Sequence, residues 1–474
     1  MRSFGVAALA VAALAVPGKL DPTFGSGGKV LTQIGDGSAG QAIALQRDGK
    51  LVVAGFAGRY GSNTDFEVAR YTPRGRLDGS FGQKGMVATD FGTYEQAAAV
   101  KIQPDGRIVV AGYTYTEGSS PQYAVAVARY RRNGSLDSSF GAGGKVVEPG
   151  VDFVALVLQR DGKIVVGGQD NRDFAPYRFA LYRLNHDGSL DTNFGTNGEV
   201  TTQFEPYSAG VSGLAIQPDG KIVAVGSAGG HDLDALALAR YNRDGSLDTT
   251  FGSGGKVFAR TGILSQARGT AVVLQGKRRI LAAGGGVLAG FRPNGRLDPS
   301  FGLNRGVTRV FGPAGGGATA LAMQRDGTIV AVGASPAENH DYAFGLARFD
   351  QNGIPLTRTA TSLSDGNDAA YGLVVQHDGK PVAAGVADEN GYTGGMIALV
   401  RYRASPSCKV PKVRTLLLAG ANRALVRAHC SLGQVTRAFS SAVQKGRVIS
   451  QRPAPGALRP EHAPVRLVVS SGRR

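Results

Sequence analysis

Arginine and aspartate recur along the 474-residue chain at matching points of a repeated pattern, and such residues can carry acid–base chemistry or form ion pairs. A catalytic site usually occurs once in a protein, whereas a contact between repeats occurs once in every repeat. The recurrence therefore predicts a structural role for both sets. The arginines are Arg70, Arg129, Arg183, Arg240, Arg348 and Arg401, and the aspartates are Asp21, Asp78, Asp137, Asp191, Asp248 and Asp298.

Motifs for metal binding and catalysis are missing from the sequence. The six histidines stand apart, and neither HExxH nor CxxC occurs, so no zinc site is predicted. Asn242, Asp244 and Asp248 have spacings reminiscent of a calcium loop, but the rest of such a loop is missing, and turn capping is favoured. The chain also lacks a GxSxG elbow, a P-loop, a Rossmann fingerprint and tryptophan. No catalytic residue, cofactor site or metal site is predicted.

Positive charge is concentrated at the C-terminal end of the chain. The formal net charge is +17, and residues 404–474 contain 13 lysines and arginines but one acid, Glu461, which gives this segment +12. The body of the protein is therefore close to neutral, and no nucleic-acid partner is predicted.

The N-terminus has the features of a secretory signal peptide. Arg2 precedes a short apolar run from Phe4 to Leu14, which ends at an Ala-Leu-Ala cleavage motif. The sequence predicts a signal peptide over residues 1–15 and a secreted or cell-surface location, with a buried first strand as the alternative. No segment is long and apolar enough to predict a membrane span.

Self-similarity dominates the chain, and 71 glycines favour a turn-rich all-β fold. An apolar run, a glutamine, a turn and a second apolar run recur at Gln46, Gln103, Gln159, Gln217, Gln275, Gln324 and Gln376. Each copy predicts a β-hairpin, because Asp-Gly suits its turn. The fifth copy, with Gly276-Lys277-Arg278, is altered. The structural repeat positions are Asp48, Gly49, Asp105, Gly106, Asp161, Gly162, Asp219, Gly220, Asp326, Gly327, Asp378 and Gly379.

Two further elements recur, namely a strand that ends in Arg and an aromatic residue, and an LDxxFG loop that leads into another strand. The strand has Leu184 for the aromatic in the third unit and lacks the arginine in the fifth, and the loop is degenerate near Ile354. Four strands per unit predict a seven-bladed β-propeller over residues 16–403. The chain begins with the LDxxFG element at Leu20 and ends its last unit at Tyr402 without one. Residues 20–30 are therefore predicted to complete the last blade and close the ring.

These units resemble the delta-60 type of bacterial β-propeller repeat, on its QxDGKIVVAG and GSLDxxFGxxGKV signatures. The resemblance covers residues 20–403. It implies a propeller fold and no single activity.

A different pattern follows a predicted linker over residues 404–407. The segment 408–474 is similar to a PASTA domain, on Val410-Pro411, Leu432-Gly433, Gln451 and the Pro-Ala-Pro-Gly run from Pro453, and a small α+β domain is expected. The resemblance implies contact with peptidoglycan or related wall material. Apolar residues at helical spacing are Leu418, Ala421, Leu425 and Ala428.

The two cysteines of the chain, Cys408 and Cys430, flank this predicted helix. In an exported protein, two cysteines in one small domain most simply form a disulfide, and two free thiols are the alternative.

These features together predict a secreted or cell-wall-associated, non-catalytic binding scaffold. The propeller would present a surface to an unknown protein or glycan, and residues 404–474 would contact peptidoglycan or an anionic wall polymer. The alternative is an extracellular hydrolase or lyase acting on a wall or polysaccharide substrate, with carboxylates in non-repeating loops, and a purely structural surface role is a third hypothesis. Acids or histidines in the central funnel would favour the enzyme. The loop candidates are Glu338, Asp341, Asp388 and Glu389.

Overall fold

The computed structural model describes residues 19–58, 64–116, 122–172, 176–230, 233–260, 269–312, 315–337, 342–387, 394–404, 407–460 and 463–473. This part of the chain divides into two compact units, one over Leu20–Tyr402 and one that comprises the residues from Arg403 onward. The predicted signal peptide and the four loop carboxylates named above lie outside the described residues. The linker and the domain boundaries stay predictions.

Seven four-stranded antiparallel sheets make up the first unit, so the seven-bladed propeller is confirmed. The first strand of each blade contacts the first strands of both neighbouring blades, and these seven strands therefore surround the centre of the ring. Blade 1 is β2–β5 (Ser38–Leu45, Leu51–Gly58, Thr64–Tyr71, Met86–Thr89), blade 2 is β6–β9 (Tyr94–Ile102, Ile108–Thr116, Gln122–Tyr130, Lys145–Pro149) and blade 3 is β10–β13 (Val151–Leu158, Ile164–Asp170, Arg178–Leu184, Glu199–Thr202). Blade 4 is β14–β17 (Ser208–Ile216, Ile222–Gly230, Leu233–Tyr241, Lys256–Ala259), blade 5 is β18–β21 (Gly269–Gln275, Arg279–Gly284, Val287–Phe291, Val307–Arg309) and blade 6 is β22–β25 (Gly317–Met323, Ile329–Ser335, Ala343–Phe349, Pro355–Thr361).

Blade 7 takes its outer strand from the beginning of the chain. It consists of β26–β28 (Asp368–Val375, Pro381–Ala387, Met396–Arg401) together with β1 (Lys29–Thr32), which pairs antiparallel with β28. A hydrophobic cluster that contains Phe24, Leu51 and Leu399 packs blade 7 against blade 1. Six further clusters fill the other six junctions, so the ring is closed and the predicted closure by the N-terminal segment is confirmed.

The Asp-Gly pairs form the tight turns between the first two strands of their blades. Their six glycines have φ between 83° and 88°, a conformation that a side chain would strain. In each turn the aspartate accepts a hydrogen bond from the backbone N–H two residues later, as from Lys50 to Asp48 at 3.2 Å. The repeat positions thus set the register of each hairpin.

The second unit is a small α+β domain, as predicted. Helix α1 (Leu418–Arg427) buries Ala421 and Leu425 in a core shared with two sheets, whose strand orders are β30-β33-β31 and β29-β32. The predicted disulfide between Cys408 and Cys430 is confirmed and lies in this core. No helix of the described chain is long and apolar enough to cross a membrane. The strands are β29 (Ser407–Lys409), β30 (Ser431–Ala438), β31 (Val448–Arg452), β32 (Leu458–Pro460) and β33 (Pro464–Ser470).

Candidate functional site

The recurring arginines connect each blade to the next one. In blade 4 the Nε of Arg240 lies 2.7 Å from an oxygen of Asp248, and its Nη1 donates a hydrogen bond of 2.5 Å to the carbonyl of Pro293 in blade 5. The same guanidinium stacks on the ring of Phe251, 4.6 Å from the centroid. Matching links start from Arg70, Arg129, Arg183 and Arg401.

A second cation reaches most of these aspartates from the Asp-Gly turn of the same blade. The ammonium of Lys221 lies 2.7 Å from Asp248. Burial alone would raise the pKa of the matching Asp21, but hydrogen bonds from Lys380 and Thr23 and the charge of Arg401 hold it at about 2. The recurring carboxylates are therefore held as anions by cations of their own blade and are unsuited to proton transfer. The other aspartate–cation contacts join Asp78 to Lys50, Asp137 to Arg107, Asp191 to Lys163 and Asp21 to Lys380.

Blades 5 and 6 depart from this arrangement. In blade 5 a glycine, Gly290, stands where the other blades have the arginine, and Arg279 from the altered turn binds Asp298 at 2.5 Å instead. A Cβ on Gly290 would lie 2.5 Å from the ring of Phe301, so the ring occupies the space that the absent side chain leaves. In blade 6 the fully buried Arg348 keeps its position, but Leu356 replaces the aspartate, and burial lowers the pKa of Arg348 to about 10.

The calcium-like spacing at Asn242 and Asp244 belongs to a turn. Asp244 accepts hydrogen bonds from the backbone N–H of Ser246 at 3.0 Å and from its hydroxyl at 2.7 Å. Among the described residues, no histidine joins a cluster of metal-ligating side chains.

The first strands that surround the centre of the ring each contain a β-bulge. Bulges often re-aim side chains at functional sites. Neither an acid nor a histidine occupies the six bulge positions whose side chains are described. Those residues are Gln41, Ala98, Ser212, Thr270, Thr319 and Tyr371.

Non-repeating residues gather at the opposite end of the blades from the Asp-Gly turns. We call this end the variable face; it comprises the loops between second and third strands and those between one blade and the next. In blade 2 it carries a tyrosine cluster, which consists of Tyr94, Tyr113, Tyr115 and Tyr123. The rings of Tyr115 and Tyr123 are 4.8 Å apart, and Tyr94 meets Tyr115 edge-on at 6.5 Å. All four side chains are half-buried and form an aromatic surface.

Carboxylates lie on both sides of the tyrosine cluster. Burial raises the pKa of Glu67 in blade 1 and that of Asp152 in blade 3 to about 7. Asp65, Asp90 and Glu95 lie at the junction of blades 1 and 2 with their oxygens within 4.8 Å of one another, close enough to hold a metal ion.

The pKa of Asp152 leads to a test of stability against pH. Its carboxyl is 6% exposed and its raised pKa means that the folded protein binds a proton more tightly than the unfolded chain. Ionisation therefore destabilises the fold as the pH rises from about 4 to about 7. We expect Asp152→Asn to be more stable than the parent at pH 8, by up to about 4 kcal/mol, and nearly equal to it at pH 4.

Urea unfolding at the two pH values measures this gap. The exposed Asp36 provides the control, because Asp36→Asn should leave the pH dependence of unfolding unchanged. A gap of the same size at both pH values would contradict the burial argument.

A groove of about 900 Å³ runs beside the outer strand of blade 3. Arg172 lies on its wall, bound to Asp170 at 2.9 Å and to Glu199. Burial and the charge of Glu199 raise the pKa of Glu148, which also lines the groove. The groove is polar, and the arginine in it is already paired with two carboxylates.

Comparison with known families accounts for the repeat. The family described as "Domain of unknown function (DUF5122) beta-propeller" matches residues 46–81, 103–140, 159–194 and 217–251. The chain carries DUF5122 β-propeller repeats. The four matched segments run from the recurring glutamine to the LDxxFG phenylalanine, and therefore contain the arginine–aspartate links of blades 1 to 4. A PASTA domain matches residues 409–471, so the second unit is a PASTA domain.

Several solved structures are similar to the DUF5122 propeller in fold. A protein of unknown function from Dyadobacter fermentans is 12% identical, with 81% of this chain and 100% of that chain covered and a TM-score of 0.43. An α-L-arabinofuranosidase, Arb93A from Fusarium graminearum, is 10% identical, with 78% and 93% covered and a TM-score of 0.44. The polysaccharide lyase Uly1 is 12% identical, with 77% and 90% covered and a TM-score of 0.46. No curated protein sequence matches the chain significantly.

Proposed function

We propose that this protein is a secreted or cell-wall-associated binding scaffold, in which the PASTA domain contacts anionic wall polymers and the propeller presents a ligand surface. The observation that carries the proposal is the charge of the PASTA domain. Residues 404–474 contain 13 lysines and arginines and one acid, Glu461, so this segment carries a formal charge of +12. The disulfide in the same domain supports an oxidising, extracellular location.

Two arginines on the sheet of the PASTA domain supply a specific contact. Arg452 on β31 pairs in register with Arg466 on β33, and both side chains are exposed. Like charges at directly opposite positions destabilise a sheet, and an anion between them removes that repulsion. Guanidinium groups bind carboxylates and phosphates through forked hydrogen bonds, and peptide stems and teichoic polymers carry these groups.

The tyrosine cluster is our candidate for the ligand surface of the propeller. Aromatic side chains supply large contact areas with a polar edge, which suits both glycans and proteins. The recurring charged residues of the blades are held in inter-blade contacts, which supports binding over catalysis for the repeat itself.

Sedimentation with purified cell walls tests the proposal. The full-length protein should pellet with insoluble wall at about 0.1 M salt and be released in part at about 1 M, where the Debye length falls to about 3 Å. We expect Arg452→Gln/Arg466→Gln to remove most of the salt-sensitive binding. Tyr115→Ser/Tyr123→Ser should instead reduce binding that persists at high salt.

The matched control is Arg423→Gln/Arg427→Gln, which removes the same charge from exposed positions of α1. An equal loss in both double variants would indicate unspecific charge attraction, and no sedimentation at low salt would contradict the wall contact. The supernatants also address the alternative hydrolase or lyase, because released sugar fragments would favour an enzyme.

A further inference from the structure

Three carboxylates from two blades converge at one point of the variable face. Phe66 on β4 pairs with Thr89 on β5, so the next positions, Asp65 and Asp90, stand side by side across this ladder. Glu95 belongs to β6 of the following blade. One oxygen from each side chain lies within 4.8 Å of the other two, and we call these residues the carboxylate triad.

Glu95 is fully buried, and only one of its two carboxylate oxygens accepts hydrogen bonds from the described residues. One oxygen, Oε1, accepts hydrogen bonds from the backbone N–H of Thr93 at 2.6 Å and from its hydroxyl at 3.0 Å. The other, Oε2, is buried and has no hydrogen-bond partner among the described residues. A buried, unpartnered carboxylate oxygen costs free energy unless another group compensates it.

Blade 7 shows how the same position is satisfied without a further group. Asp368 on β26 occupies the register position of Glu95, since Asp368 pairs with Ala387 as Glu95 pairs with Thr114. Both of its oxygens accept hydrogen bonds from its own loop, Oδ1 from the hydroxyl of Ser364 at 2.7 Å and Oδ2 from the N–H of Leu363 at 2.6 Å. In blade 2, by contrast, Oε2 of Glu95 has no hydrogen-bond partner among the described residues, and the carboxylates of Asp65 and Asp90 lie nearby.

Negative charges around the triad repel one another, and a bound cation would offset this repulsion. Asp65 is followed by Glu67 on the same strand, and burial together with the neighbouring carboxylates raises the pKa values of Asp65, Glu67 and Glu95. Among the described residues Lys145 approaches the triad, but its ammonium donates to the backbone carbonyl of Asp90 at 2.5 Å. Equivalent lysines in other blades make the same backbone contact, as from Lys256 to the carbonyl of Gln203 at 2.9 Å.

We propose that Asp65, Asp90 and Glu95 form a binding site for a hard divalent cation, and that this cation is Ca²⁺. All three donors are carboxylate oxygens, which Ca²⁺ prefers and which suit zinc and copper less well than nitrogen or sulfur. Calcium–oxygen bonds of about 2.3–2.6 Å allow one ion to bridge oxygens at the spacing of the triad. Three protein ligands leave the remaining coordination positions for water, and Mg²⁺ is disfavoured because it demands a tighter octahedron.

The site joins the third strand of blade 1 to the first strand of blade 2, so the bound ion would stabilise that junction. It lies in the propeller and needs neither the PASTA domain nor a wall polymer. An ion that binds the folded protein and not the unfolded chain raises the melting temperature with its concentration. The full-length protein should therefore melt at a higher temperature in roughly 1 mM Ca²⁺ than in chelator, and Mg²⁺ at the same concentration should have a smaller effect.

Luminescence of Tb³⁺, a calcium substitute, measures binding directly. The chain has 15 tyrosines and no tryptophan, so excitation of tyrosine should sensitise bound Tb³⁺, and added Ca²⁺ should quench the signal by displacement. We expect Glu95→Gln and Asp90→Asn each to weaken Tb³⁺ and Ca²⁺ binding by about tenfold or more, because each removes one charged ligand. Asp90 is exposed, so its variant tests the site without disturbing the core.

Asp152→Asn is the matched control, since it removes a buried carboxylate from the next blade that belongs to no such cluster among the described residues. It should keep full Ca²⁺ and Tb³⁺ binding. In chelator, Glu95→Gln should melt no lower than the parent, because the amide removes like-charge repulsion. Equal Tb³⁺ luminescence in the parent, Glu95→Gln and Asp90→Asn, or no calcium-dependent rise in melting temperature, would overturn the proposal.

Discussion

A chain that begins at Gln33, without the closing segment, is expected to melt about 10 °C or more below the full-length protein. The loss is large because three stabilising features are lost together. The outer strand β1 is removed from β28, the buried ring of Phe24 is removed from the junction of blades 7 and 1, and Arg401 loses Asp21. Removing one partner of a buried ion pair alone costs about 3–5 kcal/mol.

The shortened chain should also associate. Strand β28 would present a row of unpaired N–H and C=O groups, and such an edge pairs readily with another chain. Size-exclusion chromatography should therefore show larger species than it shows for the full-length protein. Because the closing segment is short, it can be supplied as a separate peptide, which distinguishes loss of ring closure from unfolding of the whole propeller.

Complementation in trans provides that separation. A peptide of residues 19–33 should restore most of the melting temperature and the elution volume of the full-length protein. The control peptide carries Asp21→Ala and Phe24→Ala, which remove the ion pair and the buried ring but keep the strand, and it should restore little. A shortened chain that elutes and melts as the full-length protein does would contradict closure by this segment.

The sequence was sufficient to predict the blades, their number, the closure and the disulfide, because each depends on a periodic or unique signal. The Asp-Gly turns set a hairpin in every unit, and the displaced LDxxFG element at Leu20 shows where the ring closes. The recurrence of Arg240 and its equivalents was also enough to predict a structural role, although their contact with the following blade could be seen only in the fold.

The carboxylate triad could not be predicted in the same way. Asp65, Asp90 and Glu95 follow no motif spacing, and each would be an ordinary loop or strand acid by itself. They meet because β4 and β5 pair in one register and because the next blade packs against them. The distinction between Glu95 and Asp368, which occupy the same register position, depends on loop hydrogen bonds that no sequence pattern specifies.

Blade 5 departs from the repeat at two sequence positions, and only the structure shows how the two departures are related. It lacks the arginine at Gly290, and it has an arginine, Arg279, at the position where blade 4 has Lys221 in its turn. In the fold Arg279 makes the contacts that two residues make in blade 4, the third-strand arginine and the lysine of the turn. Its Nε binds Asp298, its Nη2 donates to the hydroxyl of Ser300 at 2.9 Å, and its Nη1 donates to the carbonyl of Gln351 in blade 6 at 3.3 Å.

Because Arg279 makes the contacts of two residues, alanine at this position should cost far more unfolding free energy in blade 5 than alanine at Lys221, the same repeat position in blade 4. Arg279→Ala leaves Asp298, which is 7% exposed, with only the more distant and half-exposed Arg292, 3.7 Å away, and we expect a loss of about 3 kcal/mol in the free energy of unfolding. Lys221→Ala should cost about 1 kcal/mol or less, because Lys221 is partly exposed and Arg240 still holds Asp248. Urea unfolding of both variants and of Arg240→Ala measures the three losses, and the values for Arg279→Ala and Arg240→Ala should be similar.

A double-mutant cycle identifies the pair that is responsible. Asp298→Ala in the Arg279→Ala background should cost much less than Asp298→Ala alone, since the buried charge is then removed together with its partner. Arg279→Lys keeps the charge but loses the forked donors to Ser300 and Gln351, so it should lie between the parent and the alanine variant. If Arg279→Ala and Lys221→Ala destabilise the protein equally, Arg279 acts only as another turn cation, and the junction between blades 5 and 6 is held by its hydrophobic cluster.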